Sequence, residues 1–369
     1  TAFPHSLSDS KSLFLWGFCQ PTLELWPGFI ADKKRFSSDL SFWQYPCRTE
    51  ADAFSSHQCL QTPQISDGEL RIYLGLPWAT WIDLKDSPSI TLAAFASRLN
   101  ELRDILNEFD LVLRVHTVCQ HVKWLESVPL FKTASVDTLW LSHKPSAEKT
   151  CEGLTLHAWS LYAVNVRDPS RRDGLSVKDP STKKYLASFV GAYASHYISD
   201  VRMRLRSLEN LDNFLIIIRP EWHFNAIVYG EQVGRGYSFK DYNPDRLMRD
   251  VTHYNRVLSE SIFSLCPSGA GPNSLRLWES LSVGSIPVVL SDHLELPDLS
   301  LLHDPPCQSW SDAIIFHPED NIHILQNRLS SISLNEINIR SRLCRKLANK
   351  ISQMTCLGPS AHMLFSTFS

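Results

Sequence analysis

Apolar positions along this chain switch between two periods from Glu69 onward. Leu70–Leu76 (LRIYLGL) and Leu111–Val118 (LVLRVHTV) are short runs of strand length, and between them Leu92–Phe109 (LAAFASRLNELRDILNEF) repeats its apolar residues at helical spacing. That is strand, helix, strand. Val136–Leu141 and Leu154–Val164 add two strands, so the first half reads as alternating α/β structure. The polar interval Arg167–Lys184 (RDPSRRDGLSVKDPSTKK) has the character of a linker or exposed loop. Beyond it the alternation restarts with strands Tyr185–Val190, Phe214–Arg219, Ser261–Cys266, Ile286–Ser291 and Ala313–Phe316. Helices Ser199–Leu208, Arg246–Ser259 and Ser274–Val283 are expected between them, which predicts a parallel sheet with helices on both faces. Leu334–Gln353 reads as an amphipathic helix ending before Pro359, and the first 65 or so residues as an irregular covering segment. The expected organisation is an N-terminal Rossmann-like domain over 1–178, a second over 179–333 and a helical tail over 334–369.

Composition narrows the class. A chain of 369 residues is long for one core and comfortable for two. With 43% apolar and 20% charged residues it has the means to bury both, and a net charge of -3 provides no field for gathering nucleic acid. Nine cysteines, none in a CxxC pair, fit neither a zinc knuckle nor a complete disulfide framework, and no N-x-[ST] sequon occurs. Both features suit a reducing compartment. The early apolar run Leu13–Cys19 is far below the roughly 20 residues that cross a bilayer, so no transmembrane segment is expected, although peripheral membrane contact stays open. The first residue is Thr, and a leader or anchor preceding it would change that picture.

The most informative stretch is Tyr254–Pro297 (YNRVLSESIFSLCPSGAGPNSLRLWESLSVGSIPVVLSDHLELP). An apolar strand runs into the small residues Ser268, Gly269, Ala270 and Gly271, after which a helix opens with Asn273 or Ser274 as N-cap. Small side chains let backbone N–H groups approach an oxygen ligand, and the unsatisfied amides of the first helical turn add positive potential suited to a diphosphate. Arg276 and Glu279, three apart, share a face of that helix. The first can reach a leaving phosphate and the second can accept bonds from two ribose hydroxyls; an exposed Arg–Glu ion pair is the ordinary alternative.

The same block resembles the signature of the exostosin family of glycosyltransferases. Cys266, Pro267 and Gly269 match its CP-G loop; Ser274, Arg276 and Glu279 match S-x-R-x-x-E; Gly284, Ile286, Pro287 and Val288 match G-x-I-P-V, followed by Leu296 and Pro297. A second feature, F-x-G with an arginine on the next helix, is matched by Phe189, Gly191 and Arg202. The resemblance covers roughly residues 185–297. It implies a GT-B fold, two Rossmann-like domains facing a central cleft, with a nucleotide-sugar donor (UDP by preference) on the second and inversion at the anomeric carbon. It also implies no reliance on a D-x-D metal motif, which this sequence lacks, so neither metal nor cofactor is expected. On this basis Arg276, Glu279, Arg202 and the loop Ser268–Ser274 are donor-site candidates. Arg219, at the end of FLIIIRP, joins them by position at a strand exit.

The first half is expected to face a saccharide acceptor and to supply a base for its hydroxyl. Asp83, His116, His121 and His143 lie in phrases that follow expected strands and are the candidates; a helix cap or a bond to a backbone carbonyl is the plain alternative for each. Trp78, Trp81 and Trp222 adjoin strand exits as possible acceptor contacts. The expected reaction is a single in-line displacement in polysaccharide or glycan synthesis, placed in the bacterial cytoplasm, or in the Golgi lumen if an anchor preceded the chain. A sugar-nucleotide epimerase or hydrolase, and a non-catalytic pseudoenzyme, are the competing readings.

Overall fold

The computed structural model describes residues 43–58, 64–85, 89–225, 227–228 and 244–357. The early run Leu13–Cys19 lies outside them. Strands β1 (Gln64–Ser66), β2 (Glu69–Tyr73), β3 (Val112–Cys119), β4 (Thr138–Leu141), β5 (Thr150–Cys151) and β6 (Leu154–Ala158) form one sheet in the order β1-β2-β3-β4-β6-β5. Its four central strands are parallel, and each edge strand is added antiparallel. Strands β7 (Tyr185–Ala192), β8 (Phe214–Arg219), β9 (Ser261–Pro267), β10 (Ile286–Leu290) and β11 (Ile315–Phe316) form a second, wholly parallel sheet in the order β11-β10-β9-β7-β8.

The two orders differ in what they leave open. In the second sheet the chain steps from β7 to β8 on one side, then crosses back to β9 on the other, so the crevice between the exits of β7 and β9 is a topological switch point. The parallel strands of the first sheet run in chain order and have no such point. Each half is an α/β unit built on its own mainly parallel sheet.

Local sequence explains where elements depart from their periodicity. The run after Leu154 leaves the sheet at Ala158 because Trp159, Leu161 and Ala163 turn into the core beneath the second sheet. The expected helix Ser199–Leu208 is one α-turn (Val201–Arg204) followed by a tighter 3₁₀ turn (Leu205–Leu208). Ala313 closes a short helix, Trp310–Ala313, whose Ser309 and Asp312 form a capping box, which leaves β11 only two residues. The phrase following β2 is helical: Trp78–Leu84 is a helix, with Trp78 and Trp81 in the first core. Part of the covering segment is also helical, Thr49–Gln58.

Leu113, Val115, Leu139, Leu141, Leu154 and Leu156 form one face of the first sheet and pack under the helix Ser89–Asn107. The second core is larger and takes in Val118, Trp140 and Trp159 from the first half along with Phe189, Phe263, Leu277 and Val288 from the second. The helix Leu334–Ile351 adds Ile337, Cys344 and Leu347 to it. Each such aliphatic side chain is worth about 1.5–3 kcal/mol when fully buried. Past that helix the chain returns to the first half, where the Cys356 amide donates to His57 Nε2 at 2.8 Å. Among the described residues no helix is long and apolar enough to cross a membrane.

A polar seam also joins the halves. Lys144, fully buried, meets Glu295 at 2.6 Å, Pro145 and Leu294 form an antiparallel bridge, and Asn273 Nδ2 donates to the Ser142 carbonyl at 2.7 Å.

Candidate active site between the halves

Loops leaving the C-terminal ends of strands in both sheets enclose a cleft of about 630 Å³. Gln120–Val122 and His143 come from the first half; Val190–Tyr197, Pro220–Asn225 and Gly269–Arg276 come from the second. The cleft therefore sits over the switch point, where strand order favours a ligand.

The loop after β9 ends in the helix Leu275–Val283, with Ser274 at its N-cap and Gly284, at φ 66°, closing it. The Ser274 side chain makes no capping bond; Asn273 Oδ1 instead accepts from the Ser274 amide and from Trp278 Nε1. The amides of Ala270, Gly271, Leu275 and Arg276 find no acceptor among the described residues, and all four residues line the cleft. Such a set of amides at a helix N-terminus attracts an anion. The Gly269 amide is not among them, since it donates to the Gly271 carbonyl. Ser268 is removed from the ligand set altogether: it is fully buried, its amide bonds the Leu290 carbonyl, and its hydroxyl is shared with Ser199 and Glu319.

Two guanidinium groups stand beside these amides. Arg202 gives Nε to the Ser268 carbonyl and Nη1 to the Ala192 carbonyl, both at 2.7 Å, and so ties the loops after β7 and β9 together. Burial, and the charge of Arg276 nearby, pull its pKa down to about 10, which leaves it a cation at neutral pH. Arg276 donates to the Val190 carbonyl, lies 4.7 Å from the Phe189 ring centre, and keeps a buried Nε without an acceptor. Neither arginine forms an ion pair with any described carboxylate.

Gly269 is glycine because of Arg202: a Cβ there would stand 2.6 Å from Arg202 Nη2, on a group held by three carbonyls, those of Ser268, Ala192 and Pro267. Gly269→Ala is accordingly expected to lower stability by about 1–3 kcal/mol, the ordinary cost of overpacking. An unchanged melting temperature in a thermal scan would contradict that packing.

Glu279 is buried rather than paired with Arg276 on the surface. Its Oε1 accepts from the Asn165 amide at 3.0 Å and its Oε2 from the Tyr254 hydroxyl at 2.6 Å. Burial raises its pKa, and those two donors and the charge of Arg276 act against the rise. Arg219 leaves the donor set: it is salt-bridged to Asp250 at 3.2 Å and borders a small side pocket of about 20 Å³. As the last residue of edge strand β8, it faces the helix Pro244–Ser259 on which Asp250 sits.

The four candidate bases separate cleanly. His116 lies inside β3 rather than at its exit; its Nδ1 accepts from Trp140 Nε1, and burial pushes its pKa down to about 3. Asp83 stands behind the cleft wall, accepting from Gln44 and facing His121 Nε2 at 3.1 Å. His121 lines the cleft, but its Nδ1 accepts from the Lys123 amide at 3.0 Å, so Nε2 is the nitrogen that donates to Asp83 and both are engaged. His143 lines the cleft and makes no hydrogen bond among the described residues. Burial, then the neighbouring His121, hold its pKa at about 3, which keeps the ring neutral.

Sequence reasoning missed Tyr254, His196, Tyr197 and His223, which also line the cleft, while Trp222 lines it as anticipated. Nothing in the local pattern marks them, because each reaches the cleft through a loop or a neighbouring helix. Among the described residues no three His, Cys, Asp or Glu side chains come together in a metal-holding group, and the seven described cysteines are free thiols.

Residues 159–332 match the profile of a family described as the exostosin GT47 domain. Among curated proteins, the chain is 32% identical over 115 residues to a probable glucuronosyltransferase of Oryza sativa subsp. japonica, covering 31% of this chain and 26% of that protein. It is 34% identical over 124 residues to a probable beta-1,4-xylosyltransferase of Arabidopsis thaliana, covering 33% and 28%. With Exostosin-1 of Drosophila melanogaster it shares 30% over 139 residues, covering 36% and 17%. The chain spans about a quarter of the length of the first of the curated relatives it matches. Of solved structures, the GtfA/B complex aligns over 87% of this chain and 60% of that chain, with a TM-score of 0.37 and 12% identity.

Proposed function

Taking residues 159–332 as an exostosin GT47 domain, we propose that this chain is a glycosyltransferase that moves a sugar from a nucleoside diphosphate to a hydroxyl of a saccharide acceptor. The observation that supports this best is the floor of the cleft, where Arg202 and Arg276 bring positive charge held by carbonyls rather than by an ion pair, beside four unengaged amides. Removing such charge from water costs several kcal/mol unless an anion balances it. A diphosphate has the charge and the oxygens to do so.

In the proposed reaction the acceptor oxygen attacks the anomeric carbon from the side opposite the diphosphate, so the new C–O bond forms as the bond to the leaving oxygen breaks and the configuration inverts. The charge that develops on the leaving group is met by Arg276 and the helix N-terminus, without a role for a metal. His143 takes the acceptor proton. It is the candidate base that lines the cleft with its ring unengaged, and it packs against Gly271 of the phosphate-facing loop. A negatively charged donor on that loop raises its basicity toward the working range. Glu279, facing the cleft with both oxygens already oriented, accepts the ribose hydroxyls.

UDP is the first nucleotide to test, from the exostosin resemblance, and the relatives' names make glucuronosyl and xylosyl donors the first sugars. Calorimetry should show UDP binding that Glu279→Ala weakens by about tenfold, the scale of one hydrogen bond to a charged group. A donor panel with and without saccharide acceptors should give transfer only with acceptor. No nucleotide binding at millimolar concentration would sink the proposal, and sugar release without acceptor would turn it into a hydrolase.

A further inference from the structure

The two residues assigned to the nucleotide, Arg276 and Glu279, are both held by one side chain that no motif marks. Tyr254, buried on the helix Pro244–Ser259 and facing the cleft, donates its hydroxyl proton to Glu279 Oε2 at 2.6 Å, and the Arg276 guanidinium lies 5.0 Å from the centre of its ring. Arg276 and Glu279 are one turn apart on their own helix, so the tyrosine spans that turn with its ring at one residue and its oxygen at the other. We infer that Tyr254 is a positioning residue, whose hydroxyl orients the Glu279 carboxylate toward the ribose hydroxyls while its ring fixes the Arg276 guanidinium toward the phosphates. The inference rests on the nucleotide site proposed above and adds a part to it.

The chemistry of the pair makes the hydroxyl specific. An ionised carboxylate only accepts, so the tyrosine O–H must donate, and the Asn165 amide does the same at the other oxygen. Both oxygens are then fixed in direction, and each keeps a lone pair for a ribose hydroxyl. The groups that bear on Glu279 electrostatically are Arg276 on its own helix, Arg171 from the segment before β7, Cys47 from the first half and Cys266 on β9. Burial favours the protonated carboxyl and the Tyr254 bond opposes it. Without the hydroxyl, Glu279 takes up a proton at a higher pH than in the parent protein, and a protonated carboxyl is a poorer acceptor.

Tyr254→Phe keeps the ring and removes the bond. Calorimetry on parent and variant with UDP, 2′-deoxy-UDP and inorganic pyrophosphate separates the two functions. The parent should prefer UDP over 2′-deoxy-UDP, and Tyr254→Phe should reduce that preference by about tenfold while pyrophosphate binds as before. In the variant, UDP affinity should begin to fall on acidification at a higher pH than in the parent. Glu279→Gln should lose the same preference, with no further loss when Tyr254→Phe is added. An unchanged UDP preference in Tyr254→Phe, or additive losses in the double variant, would overturn the inference and leave the nucleotide site standing. Failure of the parent to bind either UDP or pyrophosphate would remove both.

Discussion

At saturating donor, Arg276→Met is expected to turn over about 100- to 1,000-fold more slowly than the parent, the range seen when one preorganised donor to a developing oxyanion is removed. The same variant should melt no earlier than the parent in the absence of ligand. The ligand-free protein holds the Arg276 guanidinium against two aromatic rings and one carbonyl, with a buried Nε unanswered and no carboxylate in contact. Arg276 forms no ion pair among the described residues, and the partial balance it gives Glu279 is supplemented there by two hydrogen bonds, so an apolar side chain of similar length should cost the fold little. Loss of activity with retained or increased melting temperature identifies Arg276 as a group kept for the reaction rather than for the fold. Near-parental turnover would remove its assigned role, and a large drop in melting temperature would show that it supports the fold instead.

Glu295→Gln should destabilise the protein by about 3–5 kcal/mol, read as a lowered denaturation midpoint. Lys144 has no exposed side-chain surface, whereas a quarter of the Glu295 side chain reaches solvent, so deleting the carboxylate strands a buried ammonium. Its remaining bond is to the Pro145 carbonyl at 3.2 Å. Lys144→Met, which removes the charge and keeps the bulk, should cost much less. Equal costs for the two substitutions would mean that Lys144 is better solvated than its burial indicates.

How much of this was legible in the sequence depended on the distance over which each feature is determined. The βαβ alternation from Tyr185 to Leu290 was readable because strand and helix periods are local, and the small-residue loop opening the helix at Leu275 was readable for the same reason. Spacing also placed Arg276 and Glu279 on one face. It could not say that they avoid each other, because Glu279 is satisfied from Asn165 and Tyr254, which belong to two other segments. Arg202 was visible as an arginine after F-x-G, yet its work of tying two loops together depends on carbonyls at 192 and 268 that only the sheet brings close. The strand-exit rule placed His121 and His143 on the cleft but also drew in His116, which lies well inside β3, and Trp78 and Trp81, which a helix starting early turns into the core. Ser268 illustrates the converse: a small polar residue in a loop read as a ligand site, whose hydrogen bonds all turn inward.

The sharing of one apolar core across both sheets bears on how this molecule can be taken apart. Val118 of β3, Trp140 of β4 and Trp159 just past β6 pack with residues of the second sheet, and the stretch after the final long helix returns to lie against His57. Neither sheet is thus a self-contained module. Swapping one half for that of a relative would transplant an unmatched set of tryptophans, so chimeras need their crossover drawn around these contacts rather than at the polar interval that looks like a natural cutting point.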